Sequence, residues 1–235
     1  MLSAQNLMLL SSVQDECEFR ANGLELSSDC RRCAQLHPSS SLLVERRTCV
    51  YSEGDPANHV YVVAQGLLRE TRLSVDGRLQ ALRLIRTGDI VGTEGMIRST
   101  YQSNVEALTV SRLCRVSVRQ LKQTMRTTPS QSLLISEVLC RTSAALRDSV
   151  RLLGPTPVDE RLLLLLHDLC DRNDWSTLPI TRREIGEFIG AAEETISRGI
   201  HRLASQGVLE VEGRRIRLLP AKRRGHEGMN GAFAR

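Results

Sequence analysis

The hydrophobic period changes from strand-like to mainly helical near Pro129, and that change constrains the fold more than any other feature. Upstream, between Leu42 and about Val118, apolar residues come in short runs at 49–51, 60–63, 67–73, 79–85, 105–108 and 112–116. Turn signals stand between them at Gly54-Asp55, Gly66, Asp76-Gly77, Gly88-Asp89 and Gly92. Strands recurring about every 11 residues between glycine turns predict an antiparallel sandwich or barrel, and Asp76-Gly77 suits a tight hairpin. Downstream the period is helical. A strand-rich half followed by a helical half predicts an α+β fold.

In the helical half, Leu139, Leu146 and Leu153 fall seven apart, with Ile135, Thr142 and Ser149 at the alternate seam positions. This pattern predicts a helix over 131–153 that pairs two subunits through Ile135, Leu139, Leu146 and Leu153, although a core-facing helix fits it too. Gly154-Pro155-Thr156-Pro157 breaks the helix and marks a boundary. Thr156 is placed to cap the next helix, with Pro157 first and Asp159 third, and that helix is expected to run to about Asp171. A short strand is expected at 177–180. Residues 1–25 carry no strong period; a short helix is expected from Ser27 or Ser28, with Asp29 in its first turn.

Thr181-Arg-Arg-Glu184 has the form of a capping box opening a helix that ends near Gly190. A second helix is expected from about Ala192 to Gln206, where Gly207 supplies a left-handed stop. Two helices joined by a short glycine-containing turn make a helix-turn-helix. Residues 208–211 and 214–219, around Glu212-Gly213, then read as a two-stranded wing. The tail after Pro220 is basic and is expected to be disordered.

In the second helix, Glu194, Ser197 and Arg198 stand at i, i+3 and i+4, on one face near its N-terminus. Such a face can enter a major groove, where carboxylate, hydroxyl and guanidinium groups read base edges. Arg182, Arg183, Thr195, His201, Arg202, Arg214 and Arg215 are expected to contact phosphates, which position a protein without specifying sequence. Between residues 179 and 225 there are ten Lys/Arg against six Asp/Glu, so most of the +5 net charge lies here.

Composition narrows the remaining classes. The 235 residues are 41% hydrophobic and 25% charged, enough for a sizeable core, and no apolar run approaches the length of a membrane span. The first residues show no basic segment or cleavage site of a secretory signal, so a cytoplasmic location is expected. At 3% aromatic residues, base stacking on single strands is disfavoured. No Gly-x-Ser-x-Gly, Gly-Lys-Ser/Thr or His-Glu-x-x-His motif occurs, so an enzyme is not expected. A signalling module without a DNA role, and a redox enzyme or electron carrier, are the competing classes.

The segment from Ile180 to Gly190 followed by Glu193-Glu-Thr-Ile-Ser-Arg198 closely resembles the DNA-binding domain of Crp/Fnr-type transcription regulators. Tyr51-Ser-Glu-Gly-Asp55, Val60-Tyr-Val-Val-Ala-Gln-Gly66 and Gly88-Asp-Ile-Val-Gly92 resemble that family's cyclic-nucleotide-binding-like β-roll. The resemblance covers about residues 26–220. It implies an N-terminal segment (1–25), a β-roll sensor domain (26–130), a dimerisation helix (131–153), a winged helix-turn-helix (156–220) and a basic tail (221–235). Glu-Thr-Ile-Ser-Arg is closer to the Fnr branch, which implies a homodimer on a two-fold site with TTGAT-like half-sites, and RNA polymerase as a partner. Ala192 stands where a Ser/Thr cap is usual, a loss of about 1 kcal/mol.

The resemblance also frames the effector. Cyclic-nucleotide binders of the family use a Gly-Glu motif and an Arg-Ser/Thr pair. In the stretch from Gly92 to Asn104, Glu94 comes one place late and Gln102 replaces the arginine, so a cyclic nucleotide lacks its charge-assisted partner. Arg98 is the nearest substitute. Fnr-type sensors hold an iron–sulfur cluster on cysteines; Cys114 matches the roll cysteine, and Cys17, Cys30 and Cys33 are candidates for the other ligands. Cys17 lies far from the Cys30-x-x-Cys33 pair, which sits where that family's first helix usually carries leucine. Thiol oxidation, a small ligand in the roll, no effector, and a zinc site including His37 remain alternatives. Cys49, Cys140 and Cys170 are expected at core positions.

Overall fold

Glycine turns and period-two runs fold, in a computed structural model that describes residues 8–10, 40–74, 79–170 and 174–220, into two facing antiparallel sheets. The strands are β1 (Met8–Leu10), β2 (Ser40–Val44), β3 (Cys49–Tyr51), β4 (His59–Gln65), β5 (Leu67–Leu73), β6 (Leu79–Arg86), β7 (Ile90–Val91), β8 (Asn104–Ala107) and β9 (Ser111–Ser117). One sheet has the order β1-β2-β9-β4-β7 and the other β3-β8-β5-β6. Alternate residues such as Leu42, Val63, Leu68, Ile85, Val105 and Leu113 fill the space between them. Gly66 turns β4 into β5 at φ 109°, and a Cβ there would meet Ser111 Oγ at 2.2 Å, so only glycine fits.

A polar cluster interrupts that interior. Arg83 of β6 is 4% exposed. Its Nε donates to Glu70 Oε2 at 2.7 Å and its Nη2 to the Ile90 carbonyl at 3.1 Å. Ser103 Oγ donates to the other Glu70 oxygen at 2.6 Å. Glu70 and Arg83 face each other across the β5–β6 ladder, so the pair pins that register.

Beyond the roll come α1 (Val118–Thr127), α2 (Pro129–Arg151), α3 (Val158–Leu169), β10 (Trp175–Thr177), α4 (Arg182–Ile189), α5 (Glu193–Ser205), β11 (Leu209–Glu212) and β12 (Arg215–Leu218). β10, β12 and β11 form a small antiparallel sheet. No described helix is long and apolar enough to cross a membrane.

Several expectations need correction. Pro157, not Thr156, is the N-cap of α3, with Val158 first and no side-chain cap. The strand expected at 177–180 lies at Trp175–Thr177, because Leu178 and Ile180 leave the sheet for the core, at 5% and 1% exposure. β1 and α1 were not anticipated. Extended Thr128 (φ −133°) separates α1 from α2, whose first residue is Pro129. Ile135, expected on the pairing stripe, is buried in its own protomer among Val60, Val62, Cys114, Val116 and Leu121, because α2 begins against the roll. The Asp76-Gly77 turn and the helix at Ser27 or Ser28 lie outside the described residues.

The roll and the helix-turn-helix share one core. Leu67, Ala81 and Leu108 of the roll pack with Leu162, Leu166, Ile185, Phe188 and Ile200. Each buried leucine, isoleucine or phenylalanine among them contributes about 1.5–3 kcal/mol, so the contact is not casual. Arg69 of β5 pairs with Glu187 of α4 and, at 3.0 Å, with Glu106. Arg46 approaches Glu184 at 3.5 Å.

Candidate nucleic-acid interface

The capping box is formed: Thr181 Oγ1 accepts from the Glu184 amide at 3.2 Å, and Glu184 Oε2 accepts from the Thr181 amide at 2.6 Å. This satisfies the donors that open α4. Gly190 ends α4 at φ 65°, a left-handed stop. The turn then folds back so closely that a Cβ on Gly186 would lie 2.3 Å from the Ala191 carbonyl. Ala192 is the N-cap of α5 with no side-chain acceptor; Glu193 and Glu194 occupy its first turn, where carboxylates suit the helix dipole.

Ile196, Ile200 and Leu203 bury the inner face of α5. Gly199 lets α3 cross it: a Cβ there would meet Asp159 Oδ1 at 2.9 Å and Leu162 Cδ2 at 3.0 Å. The outer face carries exposed Glu194, Arg198 and His201, with Thr195 and Ser197 half-buried. Glu194 Oε1 and Arg198 Nη2 pair at 2.6 Å, at 74% and 70% exposure. Arg182 Nη1 donates to Ser197 Oγ at 3.1 Å, so the first helix reaches the middle of the reading face. An exposed ion pair such as Glu194–Arg198 is worth about 0–1 kcal/mol, so its groups are free to exchange partners.

The expected phosphate contacts are not equivalent. Arg183 is 79% exposed, with only a 3.5 Å contact to Glu187. Arg202 instead makes two bonds to Asp159, at 2.8 and 2.6 Å, and these hold the Asp159 carboxyl below the usual range. A phosphate must compete with that carboxylate. Arg214 Nη2 donates to the Leu178 carbonyl at 3.0 Å, and Arg215 approaches Glu212 at 3.4 Å. Arg215 and Arg217 lie 5.2 and 5.1 Å from the centre of the Trp175 ring, a cation–π platform that stiffens the wing. Trp175 was missed, though it is the only tryptophan in the chain.

The effector candidates are dispersed. Gln102 turns its amide onto its own loop, donating to the Thr100 carbonyl at 3.1 Å, and its backbone N–H approaches Glu94 Oε1 at 3.4 Å. Arg98 is exposed and lines a groove against α1 rather than the roll interior, which holds the Tyr51–Tyr101 stack at 3.8 Å and the Arg83–Glu70 pair. Cys114 is 8% exposed on β9, opposite Ser41 and Val62. Cys17, Cys30, Cys33 and His37 lie outside the described residues, among which no group of His, Cys, Asp and Glu is arranged to hold a metal ion. Cys170 is buried as expected, but Cys49 and Cys140 are exposed. Cys49 opens a three-residue edge strand, and Cys140 lies on the α2 face turned away from the roll, so neither meets a core.

Residues 42–128 match the cyclic nucleotide-binding domain family, and residues 160–223 match the Crp-like helix-turn-helix domain family. The chain is 32% identical over 183 residues to the "Probable transcriptional regulator flp" of Lacticaseibacillus casei, covering 76% of this chain and 83% of that protein. It is 27% identical to the "Transcriptional activator protein FnrA" of Stutzerimonas stutzeri, covering 72% of each. The solved structure of FixK2 from Bradyrhizobium japonicum superposes with a TM-score of 0.69 at 26% identity, covering 76% of this chain and 91% of that one.

Proposed function

The chain belongs to the Crp/Fnr family of transcription regulators, and from that premise we propose that it works as an effector-controlled cytoplasmic homodimer on a two-fold DNA site. Glu194, Ser197 and Arg198 read bases in TTGAT-like half-sites. Arg182, Arg183, Thr195, His201, Arg214 and Arg215 hold phosphates, and Arg202 does so by leaving Asp159. RNA polymerase is the downstream partner. The observation that carries this reading is the open outer face of α5, with Arg182 of α4 bonded to Ser197 at its centre.

Dimerisation is assigned to α2. With Ile135 engaged by the roll, and with Leu153 in the turn past the end of α2 rather than on the helix expected to reach it, the seam reduces to Leu139 and Leu146, both 41% exposed and seven residues apart. Exposed leucines at that spacing gain stability by pairing with a second copy. Spacing between the two recognition helices is then what an effector adjusts, by a population shift of about 1–3 kcal/mol.

For the effector, an oxygen- or nitric-oxide-responsive cluster on Cys17, Cys30, Cys33 and Cys114 is the reading we favour. Its support is the lateral register Leu10–Ser41–Cys114 across β1, β2 and β9. Strands lie about 4.8 Å apart, so Leu10 lies about 10 Å from Cys114. When bound, an iron–sulfur cluster supplies a centre that oxygen or nitric oxide dismantles. A cyclic nucleotide is not proposed, since Gln102 provides no guanidinium.

The test is fluorescence anisotropy of the full chain, prepared without oxygen, on a two-fold TTGAT duplex and on a scrambled one across a salt series. Tighter binding to the two-fold duplex, weakened by air, is expected. Equal affinity for both duplexes would remove the sequence-reading role, and indifference to air would remove the cluster while leaving the regulator.

A further inference from the structure

A groove of about 780 Å³ lies between the 3₁₀ turn Thr93–Met96 and α1. Gly95 and Val118 contribute to its floor and Arg98, Arg119, Lys122 and Arg126 to its walls; no Asp or Glu lines it. Gly95 sits so close to the neighbouring loop that a Cβ would meet the Ala57 carbonyl at 2.5 Å, so this side of the groove is built on backbone contact.

Arg119, Lys122 and Arg126 stand at i, i+3 and i+7, on one face of α1 over about 10 Å of axis. Arg98 comes from the turn opposite. Among the described residues none of these four side chains makes an ion pair or hydrogen bond, whereas Arg46, Arg69, Arg83, Arg86, Arg202 and Arg217 all hold carboxylates. The arrangement is unfavourable as it stands. Like charges one turn apart repel, and Arg119 sits in a first turn that has no acidic residue and no side-chain cap from Ser117. A bound anion relieves all three penalties at once.

The dimensions decide the class of anion. A concavity of this size lies in the range of small-molecule sites, about 300–1,000 Å³. Guanidinium and ammonium groups aligned along about 10 Å match a run of phosphoryl oxygens better than a single ion. We propose that this groove binds a phosphorylated small molecule bearing at least two phosphoryl groups, its phosphates along α1 and Arg98 closing from the other wall. The site is separate from the roll interior and from α5, so it stands or falls independently of DNA recognition.

Isothermal titration calorimetry of the full chain with inorganic pyrophosphate, ATP and orthophosphate tests this. Saturable binding of pyrophosphate and ATP is expected, with orthophosphate weaker. The double variant Arg119→Gln/Lys122→Gln, two exposed positions, should weaken binding by about tenfold or more with unchanged circular dichroism. The control Arg182→Gln/Arg198→Gln, on the DNA face, should leave pyrophosphate affinity unaltered. Absence of binding at about 1 mM pyrophosphate or ATP would overturn the proposal. So would loss of affinity only in the control variant, equal affinity for orthophosphate, or capture of poly-glutamate with no response to pyrophosphate, which would mark an acidic protein surface instead.

Discussion

Two arginine–glutamate pairs with nearly the same bond length do opposite work in this molecule. Arg83–Glu70 closes at 2.7 Å inside the roll, with side chains 4% and 16% exposed. Arg198–Glu194 closes at 2.6 Å on the recognition helix, with side chains 70% and 74% exposed. Burial makes the first pair a fixture, since Arg83 finds no water if Glu70 leaves and Glu70 finds little if Arg83 leaves. Exposure makes the second pair exchangeable, because water competes for its groups. The roll interior is thus preset by its own side chains, while the outer face of α5 keeps its polar groups loosely held.

The sharpest way to break that contrast is Arg83→Met. It leaves the largely covered Glu70 without its cation, and a loss of about 3 kcal/mol in chemical denaturation is expected. Adding Glu70→Met should recover most of that loss, because Arg83 Nη1 has no partner among the described residues and the pair is only partly satisfied. If the single variant is as stable as the parent, the buried pair is not a fixture.

On the exposed side, Glu194→Ala should cost about 1–3 kcal/mol of discrimination at one base pair while barely moving the thermal midpoint. Equal losses on specific and random duplexes in a competition assay would deny it a base-reading role.

Asp159–Arg202 lies between the extremes. Its carboxyl is held below the ordinary range by Arg202, so its contribution is full above the unfolded carboxylate pKa of about 4 and is lost as pH falls through the depressed folded value. The stability difference between parent and Asp159→Asn should therefore be constant near neutrality and shrink in acid. A difference that grows on acidification would reverse the assigned sign. Smallest, Ala192→Ser should stabilise the helix-turn-helix by about 0.5–1 kcal/mol, since Ala192 already has cap geometry (φ −65°, ψ 148°) without an acceptor. No gain in the denaturation midpoint would mean that Glu193 and Glu194 already satisfy that end.

Features that depend on residues close in the chain were legible. The Thr181–Glu184 box, the stop at Gly190, the bare cap at Ala192 and the stop at Gly207 all follow from hydrogen bonds and φ values within a few positions. The outward triplet Glu194, Ser197 and Arg198 was legible because helical periodicity alone puts it on one face. Burial was less so. Cys49 and Cys140 are apolar enough for a core, but an edge strand and an outer helix face give them none. Ile135 shares the heptad of Leu139, yet the roll reaches it first.

What the sequence determined by itself is the order of elements apart from β1 and α1, and the chemistry of the outer face of α5, because capping, turns and periodicity act over one or two helical turns. Only the tertiary structure decided which charged groups are engaged. Arg202 meets Asp159 from 43 residues away, Arg69 meets Glu187 from 118, and Arg98 comes to face Lys122 and Arg126. Coulombic partners are chosen by distance and desolvation in three dimensions, and separation along the chain carries no trace of either.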